Sequence, residues 1–177
     1  MSKRYKSTKL NIGCGHQKLK GWVNLDINAE EGIDAVHDLD KYPYPFNDES
    51  FEEIRAYSII EHLKDPVKTV EELHRILKPG GTLDIIVPHY TSAIAWGNPT
   101  HLRPYSYDTF FFFVKNSEKE KYTTVEFSSI KVDFRFAKRF LIWNYLIEMV
   151  ANWFPHLYEN TPLYMFPAMG LRIRLVK

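Results

Sequence analysis

The chain predicts an α/β domain: a doubly wound, mostly parallel sheet whose final strand runs antiparallel. Three observations lead there. Short apolar runs alternate with helix-patterned segments over residues 9–88, the order that builds parallel sheets with crossover helices. The first run ends at Gly13-Cys14-Gly15 and the second at Asp26. That puts a glycine turn and a carboxylate at one sheet edge, where ligands with a ribose and a charged tail bind. Leu83 to Val87, nearly all apolar, follows the best-defined helix, as a central strand buried on both faces requires.

Each element follows in order. Leu10-Asn11-Ile12 forms the first strand, and the glycines beyond it let the backbone approach a ligand with no Cβ in the way. Nine residues separate Ile12 from Trp22, fewer than the roughly 10–12 of a usual crossover, so the first helix shrinks to a single turn. Trp22 to Ile27 is the second strand, its Asp26 able to accept from ribose hydroxyls. Ile33 to Val36 is the third, closing on His37-Asp38-Leu39. Phe51 to Tyr57 is the fourth, entered from the polar turn Asn47-Asp48-Glu49-Ser50.

Asp65 caps the next helix, with Pro66 at its first position. Val67, Val70, Leu73, Ile76 and Leu77 give it one apolar face, and Lys78-Pro79-Gly80-Gly81 stops it with a glycine cap. After the fifth strand the character changes. His89 to Pro104 is polar, aromatic and turn-rich, well placed to line a site. Phe110 to Val114 is apolar, Lys115 to Lys121 a charged surface loop, and Tyr122 to Phe136 alternates like strand material. Arg139 to Phe154 reads as a helix. Leu171 to Val176, with Arg172 and Arg174 alternating, reads as the final strand.

Size and composition bound the function. The 177 residues fit one domain, and 45% hydrophobic content allows a sizeable core. A net charge of +1 gives no nucleic-acid signal; only Lys3, Arg4, Lys6 and Lys9 form a basic N-terminal tail. The single cysteine excludes an internal disulfide framework and a multi-cysteine zinc site. Cys14 itself reads as a small residue fitting a tight turn rather than a nucleophile. No His, Asp and Glu group has metal-ligand spacing, so no metal is expected. The opening residues are polar and charged rather than a signal peptide. No apolar run reaches the ~20 residues of a membrane span. The expected location is the cytoplasm.

Taken together, residues 9–88 resemble the class I methyltransferases that use S-adenosylmethionine, closest in look to the small type 11 group. The resemblance rests on Leu10-Asn11-Ile12-Gly13-Cys14-Gly15, Asn24-Leu25-Asp26, Asp38-Leu39 with Tyr44-Pro45-Phe46, Ile59-Ile60-Glu61-His62-Leu63, and Glu72-Leu73-His74-Arg75-Ile76-Leu77-Lys78-Pro79-Gly80-Gly81. It implies a Rossmann-like fold, S-adenosylmethionine as cofactor and S-adenosylhomocysteine as product. It also implies that Gly13, Cys14 and Gly15 form the turn under the methionine moiety and that Asp26 binds the ribose. Asp38 accepts from the adenine amino group, with the Leu39 backbone beside it. Tyr57 and Ser58 face the methionine end, and Glu61 and His62 support that wall. Asn11 stands where the family usually has an acid; it can hydrogen-bond the cofactor but brings no charge. Gln17 stands where a third glycine is common. A dinucleotide fingerprint is not met, since Lys18 stands three after Gly15 and Asp26 only 11 after it.

Methyl transfer from a sulfonium is an in-line displacement, for which alignment can contribute about 7–11 kcal/mol. A hydroxyl or ammonium acceptor also needs a base. Asn98-Pro99-Thr100-His101-Leu102-Arg103-Pro104 supplies the leading candidates. His101 is expected as general base or acceptor-orienting group, with Arg103, Tyr105 and Tyr107 binding the acceptor; His89, just after the fifth strand, is a second catalytic candidate. His62 and His74 are weaker ones. Each of these can instead fasten an irregular loop. The single domain, 1–177, thus comprises a basic flexible tail (1–8), the cofactor half, and an acceptor-side loop, aromatic helix and closing strands (89–177).

Phe140, Leu141, Ile142, Trp143, Tyr145, Leu146, Ile147, Met149, Val150, Trp153 and Phe154 cover almost every face of one helix. The expectation is a core helix under Tyr158, Leu163, Tyr164, Met165 and Phe166. A dimer contact, a lid over an apolar acceptor, or a membrane-surface patch beside Lys138 and Arg139 are the alternatives. The expected partner is a small-molecule acceptor, with a sugar or glycan precursor as the analogy, acted on by a monomer or homodimer; peripheral membrane contact stays open. The rival reading is a protein of the same fold that binds the cofactor without chemistry, as a partner or regulator. Nucleic-acid methylation is disfavoured by the charge, and by Tyr57-Ser58-Ile59-Ile60 standing where many base amino-methylases carry Asn/Asp-Pro-Pro-Tyr/Phe.

Overall fold

The computed structural model describes residues 5, 7–115, 117, 122–138 and 142–177. Residues 1–4 and 6 of the expected tail, 116 and 118–121 of the expected charged loop, and 139–141 of the expected helix lie outside them.

Seven strands form one sheet in the order β3-β2-β1-β4-β5-β7-β6. They are β1 (Lys9–Ile12), β2 (Val23–Asp26), β3 (Ala35–Val36), β4 (Phe51–Tyr57), β5 (Leu77–Pro88), β6 (Ser129–Arg135) and β7 (Gly170–Val176). The first five run parallel, with Ile12 beside Leu25 and Ala56. β7 is antiparallel to β5 and to β6. The final strand therefore runs as expected, and the parallel strands deliver their C-terminal ends to one edge.

No helix fills the link between β1 and β2. The single turn expected there is replaced by bends held by two buried asparagines. Asn11 Nδ2 donates to the Gln17 carbonyl (2.9 Å) and to Asn24 Oδ1 (3.1 Å); Asn24 Oδ1 also accepts from the Leu19 amide (2.9 Å). Irregular backbone can lie against a sheet only when its polar groups find partners, and these amides supply them.

Helix α1 (Pro66–Ile76) begins as the sequence requires. The Asp65 side chain accepts from the Lys68 amide, Pro66 is the first helical residue, and Val70, Leu73 and Ile76 are buried. Its end differs from expectation. Leu77 turns directly into extended backbone and β5 starts there. Lys177 Nζ donates to the carbonyls of His74 (2.9 Å) and Leu77 (2.8 Å), so a side chain distant in sequence does the capping. The glycine pair becomes an irregular stretch inside β5, where the register with β4 shifts.

Beyond β5 the chain forms helix α2 (Ala93–Gly97), helix α3 (Trp143–Trp153) and helix α4 (Pro155–Asn160), with 3-10 turns at Tyr107–Phe113 and Pro162–Met165; a further 3-10 turn, Ile60–His62, lies between β4 and α1. The core-helix expectation for α3 is overturned. Only Asn144 and Ala151 of α3 are buried, while Trp153 is 69% exposed and Trp143, Tyr145, Leu146 and Met149 are also exposed. The reason lies in its polar stripe. Asn144 donates to the Ala137 carbonyl, Glu148 accepts from the Phe136 amide, and Asn152 both donates to and accepts from the Phe134 backbone. The helix turns this stripe inward to satisfy the edge strand β6, and its apolar face is left outward. Covering the free backbone of an edge strand is a standard protection against mispairing.

One face of the sheet carries the core, from Leu10 and Ile12 through Ile54, Ala56, Leu83, Ile85 and Val87 to Ile173 and Leu175. The alternate residues form a half-exposed charged ladder on the other face. Arg172 grips Asp84 through two hydrogen bonds (3.0 and 2.6 Å), Arg174 pairs with Asp133, and Lys9 pairs with Glu53.

Candidate active site

The C-terminal ends of β4 and β5 open on a cleft of about 520 Å³. Tyr57 and Ser58 come from β4, Ile86, Val87 and Pro88 from β5, and Arg135, Phe136, Met169 and Gly170 from the ends of β6 and β7. Ser58 holds φ +52, a left-handed backbone that a serine adopts only under constraint. Its amide is pinned to the Ile86 carbonyl (2.8 Å), which turns the chain sharply at the cleft edge.

On the cofactor side, Gly13 (φ +54) and Gly15 (φ +47) make the turn after β1. The Gly15 amide donates to Asp26 Oδ2 (2.8 Å) and the Asn28 amide to Asp26 Oδ1 (3.2 Å), so the expected ribose carboxylate is fixed beside the glycine turn. A Cβ at Gly15 would meet nothing within 4 Å, which leaves room for a ligand against that backbone. Cys14 is buried, and burial followed by the Asp26 charge raises its thiol pKa; this suits packing rather than nucleophilic attack. Asp38 accepts from the Asp40 amide and lies 3.7 Å from Lys41 Nζ; the buried Leu39 offers its carbonyl to the Tyr44 hydroxyl. Asn11 sits under the turn with its amide committed to the loop network described above.

On the acceptor side, the structure brings together Glu61, His62 and His101. One ligand atom from each lies within 4.8 Å of the others, and the two imidazole centroids are 4.7 Å apart. Glu61 is 1% exposed, its Oε2 has no hydrogen-bond partner among the described residues, and burial pushes its carboxyl up to about 7. His62 is shifted down, by burial and then by His101. His62 Nδ1 lies 3.2 Å from the Thr100 carbonyl and 2.9 Å from Thr100 Oγ1; His101 Nδ1 lies 3.3 Å from the Ala95 carbonyl. A carbonyl can only accept, so each Nδ1 carries the hydrogen and each Nε2 keeps its lone pair.

Other expected acceptor residues fall elsewhere. His89 is fully buried away from the cleft, its Nδ1 on Thr91 Oγ1 and its Nε2 on Glu159 Oε1, both at 2.8 Å; with both nitrogens engaged it is a structural link. Arg103 donates to the carbonyls of Leu63 (2.9 Å) and Lys64 (2.8 Å), fastening the loop after the 3-10 turn. Tyr105 is buried, with its hydroxyl on the Ile60 carbonyl and its ring stacked on Phe110. Tyr107 stacks on Phe134. Tyr57, a cofactor-side expectation, lines the cleft but gives its hydroxyl to Asp84 Oδ2 (2.7 Å). Sequence reasoning missed Arg135, Phe136 and Met169, whose arrival depends on the antiparallel pairing of β6 and β7.

Residues 22–85 match the family model of a methyltransferase domain. Over 40 residues the chain is 42% identical to an uncharacterized methyltransferase of Schizosaccharomyces pombe, a stretch covering 23% of this chain and 14% of that one. The whole fold is similar to that of a SAM-dependent methyltransferase from Archaeoglobus fulgidus, with a TM-score of 0.67 at 18% identity over 97% of this chain and 86% of that one. It is also similar to Haemonchus contortus phosphoethanolamine N-methyltransferase 2, solved with phosphomonomethylethanolamine and S-adenosylhomocysteine, with a TM-score of 0.58 at 17% identity over 99% of this chain and 50% of that one. At such identities the shared property is the fold.

Proposed function

We propose that the chain is a class I methyltransferase with S-adenosylmethionine as its methyl donor, a reading supported by the family match over residues 22–85 and by the shared fold, and that it methylates a small hydroxyl-bearing acceptor held in the cleft. The observation that carries this reading is the polar pole of Glu61, His62 and His101, which lines the same cleft as the strained Ser58 turn. Gly13, Gly15 and Asp26 hold the donor, with Asp38 and Leu39 toward its adenine.

The acceptor's lone pair attacks the methyl carbon. The carbon–sulfur bond breaks, its electron pair returns to sulfur, and S-adenosylhomocysteine leaves. His101 Nε2 keeps the lone pair that takes up the acceptor's proton. The lining mixes polar Gln17, Asn98 and Arg135 with apolar Ile94, Phe136 and Met169, a combination that fits the hydroxyl edge and apolar face of a sugar or glycan precursor.

Calorimetric titration with S-adenosylhomocysteine tests the donor half. Asp26→Ala removes hydrogen bonds to a charged group, each worth about 1.5–3 kcal/mol, so affinity is expected to fall about 100-fold. Unchanged binding in this variant would overturn the ribose assignment. For the acceptor half, His101→Ala is expected to keep S-adenosylhomocysteine affinity and lose about 10²–10⁴ of the turnover rate. The readout is S-adenosylhomocysteine release over a panel of sugars and amines. Full turnover in the variant would remove the base role. The commitment of Asn11 to the loop rather than to a ligand favours the second reading, a non-catalytic binder. Donor binding with no turnover over the whole panel is its expected signature.

A further inference from the structure

The polar pole of the cleft has the makings of a metal centre. Two imidazoles and one carboxylate present ligand atoms within 4.8 Å of one another, although the sequence separates His101 from the Glu61-His62 pair by the whole of α1 and β5. Both imidazoles are held by Nδ1 on backbone carbonyls, the kind of outer contact that metal-ligating histidines make, and it leaves each Nε2 lone pair free for an ion. The carboxylate is 1% exposed, and its Oε2 has no hydrogen-bond partner among the described residues. A buried acceptor of this kind calls for a cation or a donor beyond those the described residues provide.

We propose that Glu61, His62 and His101 bind a divalent transition-metal ion of the zinc type, with its remaining coordination positions open to the cleft. Two nitrogens and one oxygen suit zinc, cobalt or nickel better than the all-oxygen ions magnesium and calcium. Bonds of about 2.0–2.2 Å set ligand atoms roughly 3.3–3.5 Å apart in a tetrahedral site, so closing the cluster takes side-chain adjustments of about an ångström. Three protein ligands leave an open position, as in catalytic rather than structural zinc sites.

What the ion does there rests on the methyl-transfer reading; that it binds does not. An acceptor hydroxyl bound to it loses its proton to cleft water, since coordination lowers the hydroxyl pKa. The oxygen lone pair then attacks the donor's methyl carbon as the carbon–sulfur bond breaks, giving a methyl ether and S-adenosylhomocysteine. His101 then serves as a ligand, and the ion takes over the proton-handling task assigned to it above. The substrate class narrows to acceptors that offer the ion an oxygen.

The test uses the full chain stripped with a chelator and titrated with cobalt(II) by visible absorption and with zinc(II) by calorimetry. The expected result is one equivalent bound and a tetrahedral cobalt spectrum. His101→Gln and Glu61→Gln each weaken it about 100-fold or more. His156→Gln, a surface histidine outside the cluster, serves as control and leaves it unchanged. Absence of stoichiometric binding, or binding indifferent to both cluster variants, overturns the proposal. Each variant is also titrated with S-adenosylhomocysteine. A His101→Gln protein that still binds this ligand is folded, so its metal result counts even if Glu61→Gln fails to fold. Wild-type protein that binds the metal but not the homocysteine ligand would sustain the ion site and sink the donor assignment; the converse would sink only the ion site.

Discussion

Gly13→Ala is expected to abolish measurable S-adenosylhomocysteine binding and to lower stability by about 2–5 kcal/mol. Two costs combine. Gly13 holds φ +54, and a left-handed conformation costs an L-residue about 1–2 kcal/mol. A Cβ built there would also stand 2.3 Å from Ile59 Cγ1, 2.6 Å from its Cδ1 and 2.8 Å from its Cβ. Overpacking of this kind costs about 1–3 kcal/mol. Relief requires either the glycine turn or Ile59 to move, and both border the site. Gly15→Ala separates the two contributions, because its φ is +47 but nothing lies within 4 Å of its Cβ. Urea denaturation should show Gly15→Ala losing about 1–2 kcal/mol, with Gly13→Ala lower again. Equal losses in the two variants would show that Ile59 yields without penalty.

Glu159→Ala is expected to be the most destabilising change in the C-terminal half. One carboxylate oxygen, Oε1, meets both His89 Nε2 and the Tyr107 amide at 2.8 Å. His89 is fully buried and Glu159 has only 10% of its side chain exposed. Truncation leaves two groups without a partner at the junction of β5, α4 and the 3-10 turn at Tyr107. Breaking a buried pair on one side costs about 3–5 kcal/mol, which lowers Tm by on the order of 10 °C for a domain of this size. Glu159→Gln keeps an oxygen acceptor and should recover much of the loss. Thermal denaturation of both variants checks this; a loss below about 1 kcal/mol in Glu159→Ala would show that water replaces the carboxylate.

The parts of this chain legible in its sequence are those set by local chemistry. The Asp65–Pro66 helix start, the glycine turn after β1 and the apolar run of β5 each carry their cause within a few residues. The illegible parts depend on distant partners. α3 reads as a core helix because its apolar residues outnumber the rest, yet Asn144, Glu148 and Asn152 decide its orientation by bonding to a strand whose position no local pattern gives. His89 and His101 look alike in sequence, each in a polar stretch after β5. Glu159, 70 positions on, withdraws one of them from the cleft. The helix end at Ile76 is capped by Lys177, 100 positions on from Leu77. The cluster of Glu61, His62 and His101 shows no ligand spacing in the sequence for the same reason, since its third member arrives by the crossover.

The charged ladder on the second sheet face has a consequence for life at high concentration. A sheet with one face open to water resembles half of a sandwich, and an apolar open face would be completed by another copy of itself. Here a second sheet laid face to face would have to strip water from Arg172, Arg174, Lys9 and Glu53 at once. Dehydrating ions that already hold partners brings little new attraction in return. The arrangement therefore works as a barrier to stacking, and it operates even though each surface pair adds little to the stability of the single molecule.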